Sequence, residues 1–285
     1  MALASVRIVL VEPAGPLNVG AVARVMKNMG LRTLVLVNPQ CDPLGVEAQQ
    51  MAVHGVDILE AAQQVATIPA ALMGCQRAIA TTARVRTLST PLESPRVALP
   101  WLLEGAVTSA LIFGPEDRGL SNVELNYAQR FVCIPSSPEY PSLNLAQAVA
   151  ICCYELYHTT QQLSFSGDVG VTPVESQNLP SPPCSDQPPS LLRSAPLPTP
   201  DAAEAAPLEA VEDYYQHLEA VLLKIGYLYP HTASARMEKF RHLLNRATPT
   251  TGEVAMLRGI LRQMEWALQF QPRSVVNDTS ELNES

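Results

Sequence analysis

Three separated stretches carry the residue types that a polar or anionic ligand needs. The first is Glu12-Pro-Ala-Gly15-Pro-Leu-Asn18-Val-Gly20, a loop that follows an apolar run. It is not a phosphate-cradling loop, because Gly20 is followed by Ala-Val and not by Lys and Ser or Thr. No G-x-G-x-x-G occurs anywhere in the chain, which counts against nicotinamide, flavin and triphosphate chemistry. Asn18 could simply cap the helix that follows. Arg24, Lys27 and Asn28 share one face of that helix at i, i+3 and i+4, a pattern that alone reads as a solvated surface. The second stretch is Gly114-Pro115-Glu116-Asp117-Arg118-Gly119-Leu120-Ser121. Gly114 permits close backbone approach or a positive φ. Ser121 with Glu124 three residues on forms a capping box for the next helix. The third is Ile134-Pro135, then Tyr140-Pro-Ser142-Leu143-Asn144-Leu145. Ser142 is a natural N-cap. Asn144 beside an apolar stretch must find partners for its amide, so the segment is either a structural cap or a ligand-facing turn.

The apolar patterning says what positions these loops. Val6–Val11, Thr33–Val37, Gln76–Thr81, Ser109–Phe113 and Phe131–Ile134 are short strand-like runs. Between them, Val19–Met29 shows a helical face ended by Gly30, and residues 44–52 and 60–73 are expected to be helical. Leu143–His158 is apolar nearly all round and is expected to be a buried helix. Strands alternating with helices predict an α/β fold, a mostly parallel sheet covered on both faces. In such a sheet ligands sit beyond the C-terminal ends of the strands, where the three loops fall. Further on, Ala210–Ile225, Ala233–Arg246 and Thr251–Phe270 read as three helices of a small all-helical unit, the last capped by Thr250 or Thr251.

Composition bounds the rest. At 285 residues the chain is expected to form about two domains. No apolar run approaches the ~18 residues of a membrane span, and the first residues lack a signal-peptide pattern. Six scattered cysteines, with no C-x-x-C and no His at ligand spacing, predict reduced, mostly buried thiols, a cytoplasmic protein and no metal. The net charge of -8 argues against a simple basic nucleic-acid binder. Yet Arg236–Arg262 holds six positive charges against two negative. Ten of the 25 prolines fall between Ser166 and Pro207, so neither helix nor sheet can propagate there. That stretch is expected to be a disordered tether, either a plain spacer or a docking motif. The expected organisation is a first domain over residues 1–162, a tether over 163–208, a helical unit over 209–272 and a frayed tail over 273–285.

Taken together, the three stretches resemble the SPOUT class of RNA methyltransferases. The resemblance rests on Asn18-Val-Gly-Ala-Val-Ala-Arg24-Val-Met-Lys-Asn28-Met-Gly30, on Phe113-Gly-Pro-Glu116 with Gly119-Leu120, and on Ile134-Pro135 leading to Ser142-Leu-Asn144-Leu-Ala-Gln-Ala148. The helical unit, through Lys239-Phe-Arg-His-Leu-Leu-Asn-Arg246 and Met256-Leu-Arg258-Gly-Ile-Leu-Arg262, resembles the C-terminal extension of the TrmJ branch, the tRNA ribose 2′-O-methyltransferases. The resemblance implies a C-terminal trefoil knot in the α/β domain and a homodimer with tRNA as substrate. It implies S-adenosylmethionine as cofactor, without a metal, held by Thr81, Thr82, Ala83, Gly114, Pro115, Ile134, Ser142, Leu143 and Asn144. Catalytic roles would fall to Arg24, Asn18, Glu116, Ser142 and Asn144. RNA contacts would fall to Arg84, Arg86, Lys239, Arg241, Arg246, Arg258 and Arg262. The implied acceptor is the ribose of cytidine or uridine 32 in the anticodon loop. The rival readings are another tRNA or ribosomal RNA nucleotide, or a non-catalytic RNA-binding protein on a knotted fold.

Overall fold

The computed structural model describes residues 2–83, 92–167 and 205–269. Its elements run β1 (Val6–Val11), α1 (Pro16–Asn28), β2 (Thr33–Val37), α2 (Val46–Ala52), α3 (Val56–Glu60), β3 (Gln63–Val65), α4 (Ile68–Ala71) and β4 (Arg77–Thr81). They continue with β5 (Leu92–Glu93), α5 (Pro95–Ala98), β6 (Ser109–Phe113), α6 (Asn122–Leu125), β7 (Arg130–Val132) and α7 (Leu145–Gly167). Three long helices follow, α8 (Leu208–Lys224), α9 (Pro230–Ala247) and α10 (Thr251–Gln269). No helix among the described residues is long and apolar enough to cross a membrane.

The seven strands form one parallel sheet in the order β3-β2-β1-β6-β4-β7-β5. Strand residues alternate between two buried faces, which is why β1 is apolar at every position except Arg7. Val6, Ile8 and Leu10 join Leu34, Leu36, Ile79, Leu111 and Phe113 under α1 and α7. Val9 and Val11 join Val35, Val37, Ala78, Ala80 and Ile112 on the other face, beneath α4 and α6. Gly20 lets α1 and α2 touch, since a Cβ there would lie 2.2 Å from the Ala48 carbonyl oxygen.

The helical unit has its own core of Val211, Tyr215, Leu218, Val221, Leu228, Met237 and Leu261. It docks on the α/β domain at the N-terminal ends of β4 and β7. The Leu208 amide donates to the Cys75 carbonyl at 2.8 Å, and the Gly74 amide to Glu209 at 2.9 Å. The Asn245 side chain donates to the carbonyls of Asn126 and Ala128 at 3.2 and 3.3 Å. Arg241 pairs with Glu212 and lies over the rings of Tyr127 and Tyr215.

Several expectations are corrected. Residues 60–73 are not one helix: the polar Gln63-Gln64-Val65 pairs beside β2 as an edge strand, and the helix after it is a single turn capped by Thr67. The Ser142 hydroxyl does not cap α7. The Asn144 carboxamide oxygen does, accepting from the amides of Ala146 and Gln147 at 2.9 and 3.4 Å. The helix therefore starts at Leu145, and it runs to Gly167, past the expected domain edge at 162. Nor is it buried all round, because Ile151, Tyr154 and Tyr157 are exposed. Asn18 is not a cap either: it is the third residue of α1, and Gly15 holds the N-cap position. Cys75, Cys152 and Cys153 are buried, and desolvation pushes the Cys75 thiol up to about 11. Residues 168–204 of the proline-rich tether expected over 163–208, the tail, Arg84 and Arg86 lie outside the described residues. So do residues 84–91, whose path a knot would require.

Candidate active site

The loops leaving the C-terminal ends of β4, β6 and β7 enclose a cavity of about 140 Å³. Of the residues expected to hold a cofactor, Thr81, Thr82, Ala83, Gly114, Pro115, Ile134, Ser142 and Leu143 line it, with Glu116, whereas Asn144 does not and lies on its rim through Asn18. Sequence reasoning missed Leu120, Val132, Leu145 and Ala148, which supply its apolar wall. Their signal was present, since Leu120 and Leu145 are apolar residues inside the second and third stretches and Val132 and Ala148 lie just beside the third. Gly114 is obligatory here: a Cβ would lie 2.4 Å from the Leu120 amide nitrogen. The loop between β6 and α6 thus folds back on its own start. The expected capping box then closes it, with Ser121 and Glu124 each accepting from the other's amide, at 3.3 and 2.6 Å.

Charge pins this loop to the loop after β1. Glu116 accepts from the Ala14 amide at 3.1 Å, the Gly15 amide at 3.2 Å and the Asn18 carboxamide at 2.9 Å. Burial alone would raise its pKa, but these hydrogen bonds outweigh burial and hold the carboxyl below its ordinary 4.5. Asn18 in turn accepts from the Asn144 carboxamide at 2.9 Å, so one chain of polar contacts joins all three stretches. Arg118 adds a second clamp, paired with Glu12 at 2.7 Å and Glu124 at 2.8 Å. Glu12 sits at φ +47, a left-handed backbone few non-glycine residues adopt, and its side chain also accepts from Asn38 at 3.2 Å. Against the desolvation that raises it, the Arg118 and Ser121 contacts bring Glu124 down to about 2.

Not every expected site residue joins this network. Arg24 is six residues beyond Asn18 on α1, about 9 Å along the helix axis. It is exposed, it does not line the cavity, and no ion pair engages it among the described residues. In the helical unit, Arg241 is committed to Glu212, and Arg258 lies 3.5 Å from Asp213. Lys239, Arg246 and Arg262 are exposed and carry no ion pair among the described residues. Among the described residues, no group of three His, Cys, Asp or Glu could hold a metal ion.

Residues 5–154 match the SpoU rRNA Methylase family. The chain belongs to that family. Residues 209–275 match a second family, the C-terminal domain of tRNA methyltransferase TrmJ. Over 91% of its length this SpoU-family chain is 37% identical to the tRNA (cytidine/uridine/adenosine-2′-O-)-methyltransferase TrmJ of Pseudomonas aeruginosa, covering 93% of that protein. It is 37% identical to the tRNA (cytidine/uridine-2′-O-)-methyltransferase TrmJ of Salmonella choleraesuis, covering 92% of this chain and 97% of the relative. The crystal structure of TrmJ from Z. mobilis ZM4 superposes with a TM-score of 0.72 at 28% identity, covering 91% of this chain and 98% of that one. The sheet thus falls within the first match and the helical extension within the second.

Proposed function

We propose that this chain is an S-adenosylmethionine-dependent tRNA ribose 2′-O-methyltransferase whose target is cytidine or uridine 32. The observation that carries the reading is the cavity at the ends of β4, β6 and β7, with the Glu116–Asn18–Asn144 chain fastening its rim. The residues present fit the cofactor. Gly114 lets its loop fold flat, Leu120, Ile134 and Leu143 offer apolar faces to a purine, and Thr81, Thr82 and Ser142 offer polar groups. S-adenosylmethionine, when bound, supplies an electrophilic methyl group on a sulfonium.

The chain's own residues then divide the work. Methyl transfer needs the ribose hydroxyl aligned with the methyl carbon, and its developing negative charge offset. Glu116 is a poor general base, because three hydrogen bonds hold its carboxyl low and already occupy both of its oxygens. Its task is to fix the rim. Arg24 cannot act as a base either, since a guanidinium stays protonated. Its part is to hold the neighbouring phosphate and offset the charge that develops on the ribose oxygen as the hydroxyl proton passes to solvent water. Its place outside the cavity of its own chain makes the second protomer of a homodimer the means of bringing the two together. The half-exposed face of α7, with Ile151, Tyr154 and Tyr157, is the surface for that contact. Lys239, Arg246 and Arg262 grip tRNA phosphates, with marked salt dependence.

Titrating the purified chain with S-adenosylmethionine by calorimetry, then mapping the methylated nucleotide of a tRNA transcript by mass spectrometry, tests the reading. Binding with transfer to ribose 32 supports it. Transfer to another nucleotide replaces the target and keeps the chemistry. No cofactor binding would favour a non-catalytic RNA-binding protein.

A further inference from the structure

The turn between α8 and α9 presents two aromatic rings to solvent on a rigid backbone. Gly226, at φ +76, ends α8 in a Schellman cap: its amide donates to the Leu223 carbonyl and the Tyr227 amide to the Leu222 carbonyl, at 3.1 and 3.0 Å. Pro230 opens α9 at its first turn, with φ preset. Between these two stops, Leu228 is buried at 1% exposure while Tyr227 and Tyr229 on either side are 52% and 56% exposed. The buried leucine anchors the turn, and its neighbours point outward. A large exposed aromatic normally reduces its own exposure against the protein. Here both keep about half of their surface in solvent with a single residue between them, although Tyr227 also tilts against Phe240, centroids 6.5 Å apart.

What surrounds the rings says what they meet. His231 stacks on Tyr229 with centroids 6.0 Å apart and planes inclined by 23°. The Arg236 guanidinium lies 5.6 Å from the Tyr227 ring centre and donates to the Tyr227 carbonyl at 2.9 Å. Residues 224–239 include Lys224, His231, Arg236 and Lys239 against one acid, Glu238, which lies 3.7 Å from His242. Lys239 stands exposed one turn further along α9. Flat π-faces inside a cationic border complement a base attached to a phosphate, which stacks on aromatics and neutralises Lys and Arg together. A protein partner suited to the same border would need an acidic surface, and charge alone would not use the rings.

We propose that Tyr227 and Tyr229 form a stacking platform for unpaired nucleobases of the RNA substrate, bordered by Lys224, Arg236 and Lys239. The inference rests on the reading that the chain acts on tRNA, and it assigns base contacts to a turn where only phosphate contacts were expected. Because the turn is already fixed by Gly226, Leu228 and Pro230, little backbone order is lost on binding.

The test measures affinity of the full-length chain for a labelled, unmodified tRNA transcript by fluorescence anisotropy across a salt series. Tyr229→Leu should weaken binding between about 5-fold and about 150-fold, the range for losing one stacked base. Stacking releases no counterions, so the slope of log affinity against log salt should not change. Lys239→Ala should instead lower that slope by about 1. Tyr229→Phe keeps the ring and should bind like wild type. A thermal melt of each variant separates lost contacts from lost folding, and Tyr229 is suited to replacement because its side chain is exposed and stacks on the exposed His231. Tyr229→Leu binding as wild type does, while wild type binds the transcript, would overturn the platform, leave the tRNA reading standing and give the rings to a protein surface. Wild type failing to bind the transcript would overturn both.

Discussion

Replacing Glu116 with glutamine keeps the shape of the side chain and removes its charge. The carboxylate now accepts three hydrogen bonds, one on Oε2 from Ala14 and two on Oε1 from Gly15 and Asn18. A glutamine has one acceptor oxygen. Turned toward Gly15 and Asn18, it points its own NH2 at the Ala14 amide, donor against donor; turned the other way, it faces two donors. Either orientation loses at least one bond and the charge assistance of the others. Hydrogen bonds to charged groups contribute about 1.5–3 kcal/mol against about 1 for neutral ones. The site opens to solvent on one side, which places the net loss near the low end, about 1–2 kcal/mol. If the rim must be fastened for the cavity to hold its cofactor, that loss passes into binding, a weakening of about 5- to 30-fold. Calorimetry with S-adenosylmethionine reads it directly, and a thermal melt shows whether the fold survives. Unchanged cofactor affinity in a folded Glu116→Gln protein would refute the clamp.

Three further outcomes follow from the same geometry. Gly114→Ala should abolish cofactor binding in calorimetry, because a Cβ placed 2.4 Å from the Leu120 nitrogen forces the loop out of the cavity wall. Arg241→Ala leaves Glu212 without its partner in the junction between the units and should destabilise the helical unit by roughly 3 kcal/mol, seen as faster amide exchange in α8 and α9. Acid should loosen the β6–α6 loop in a defined window. Glu124 is lowered from 4.5 to about 2 in the folded state, so its contribution is complete above 4.5 and drains away as pH falls toward about 2. A pH titration of Glu124 by carbon-detected NMR that finds an ordinary midpoint would contradict the Arg118 and Ser121 contacts.

What the sequence revealed depended on how local its cause was. The box of Ser121 and Glu124, the stop at Gly30 and the three long helices of the extension rest on interactions within one turn, and the structure has them. The strand β3 was missed because Gln63 and Gln64 are exposed at the sheet's edge and carry no apolar signal. Residues 142–145 offered two capping side chains two positions apart. Only the reach of the Asn144 amide to Asn18, 126 residues away, explains why the second one is used. The same limit hid Arg241. Its guanidinium reads as one more charge in a basic run, yet Glu212, 29 residues earlier, holds it in the junction. Spacing shows which residues could meet a ligand; only tertiary contacts show which are already spoken for.

The seating of the helical unit at the N-terminal ends of β4 and β7 has a mechanical consequence. The cavity opens at the opposite pole, beyond the C-terminal ends of the same strands. Five residues of β4 separate the two levels, about 17 Å of extended chain. On the proposed reading, a nucleic acid gripped by the extension and served by the cavity of the same chain would stretch along the height of the sheet to present its target sugar, with the Asn245 and Glu209 attachments as the fence of a ruler. Slipping that seat by one helical turn would shift the sugar by about 5 Å, more than the tolerance of an in-line displacement.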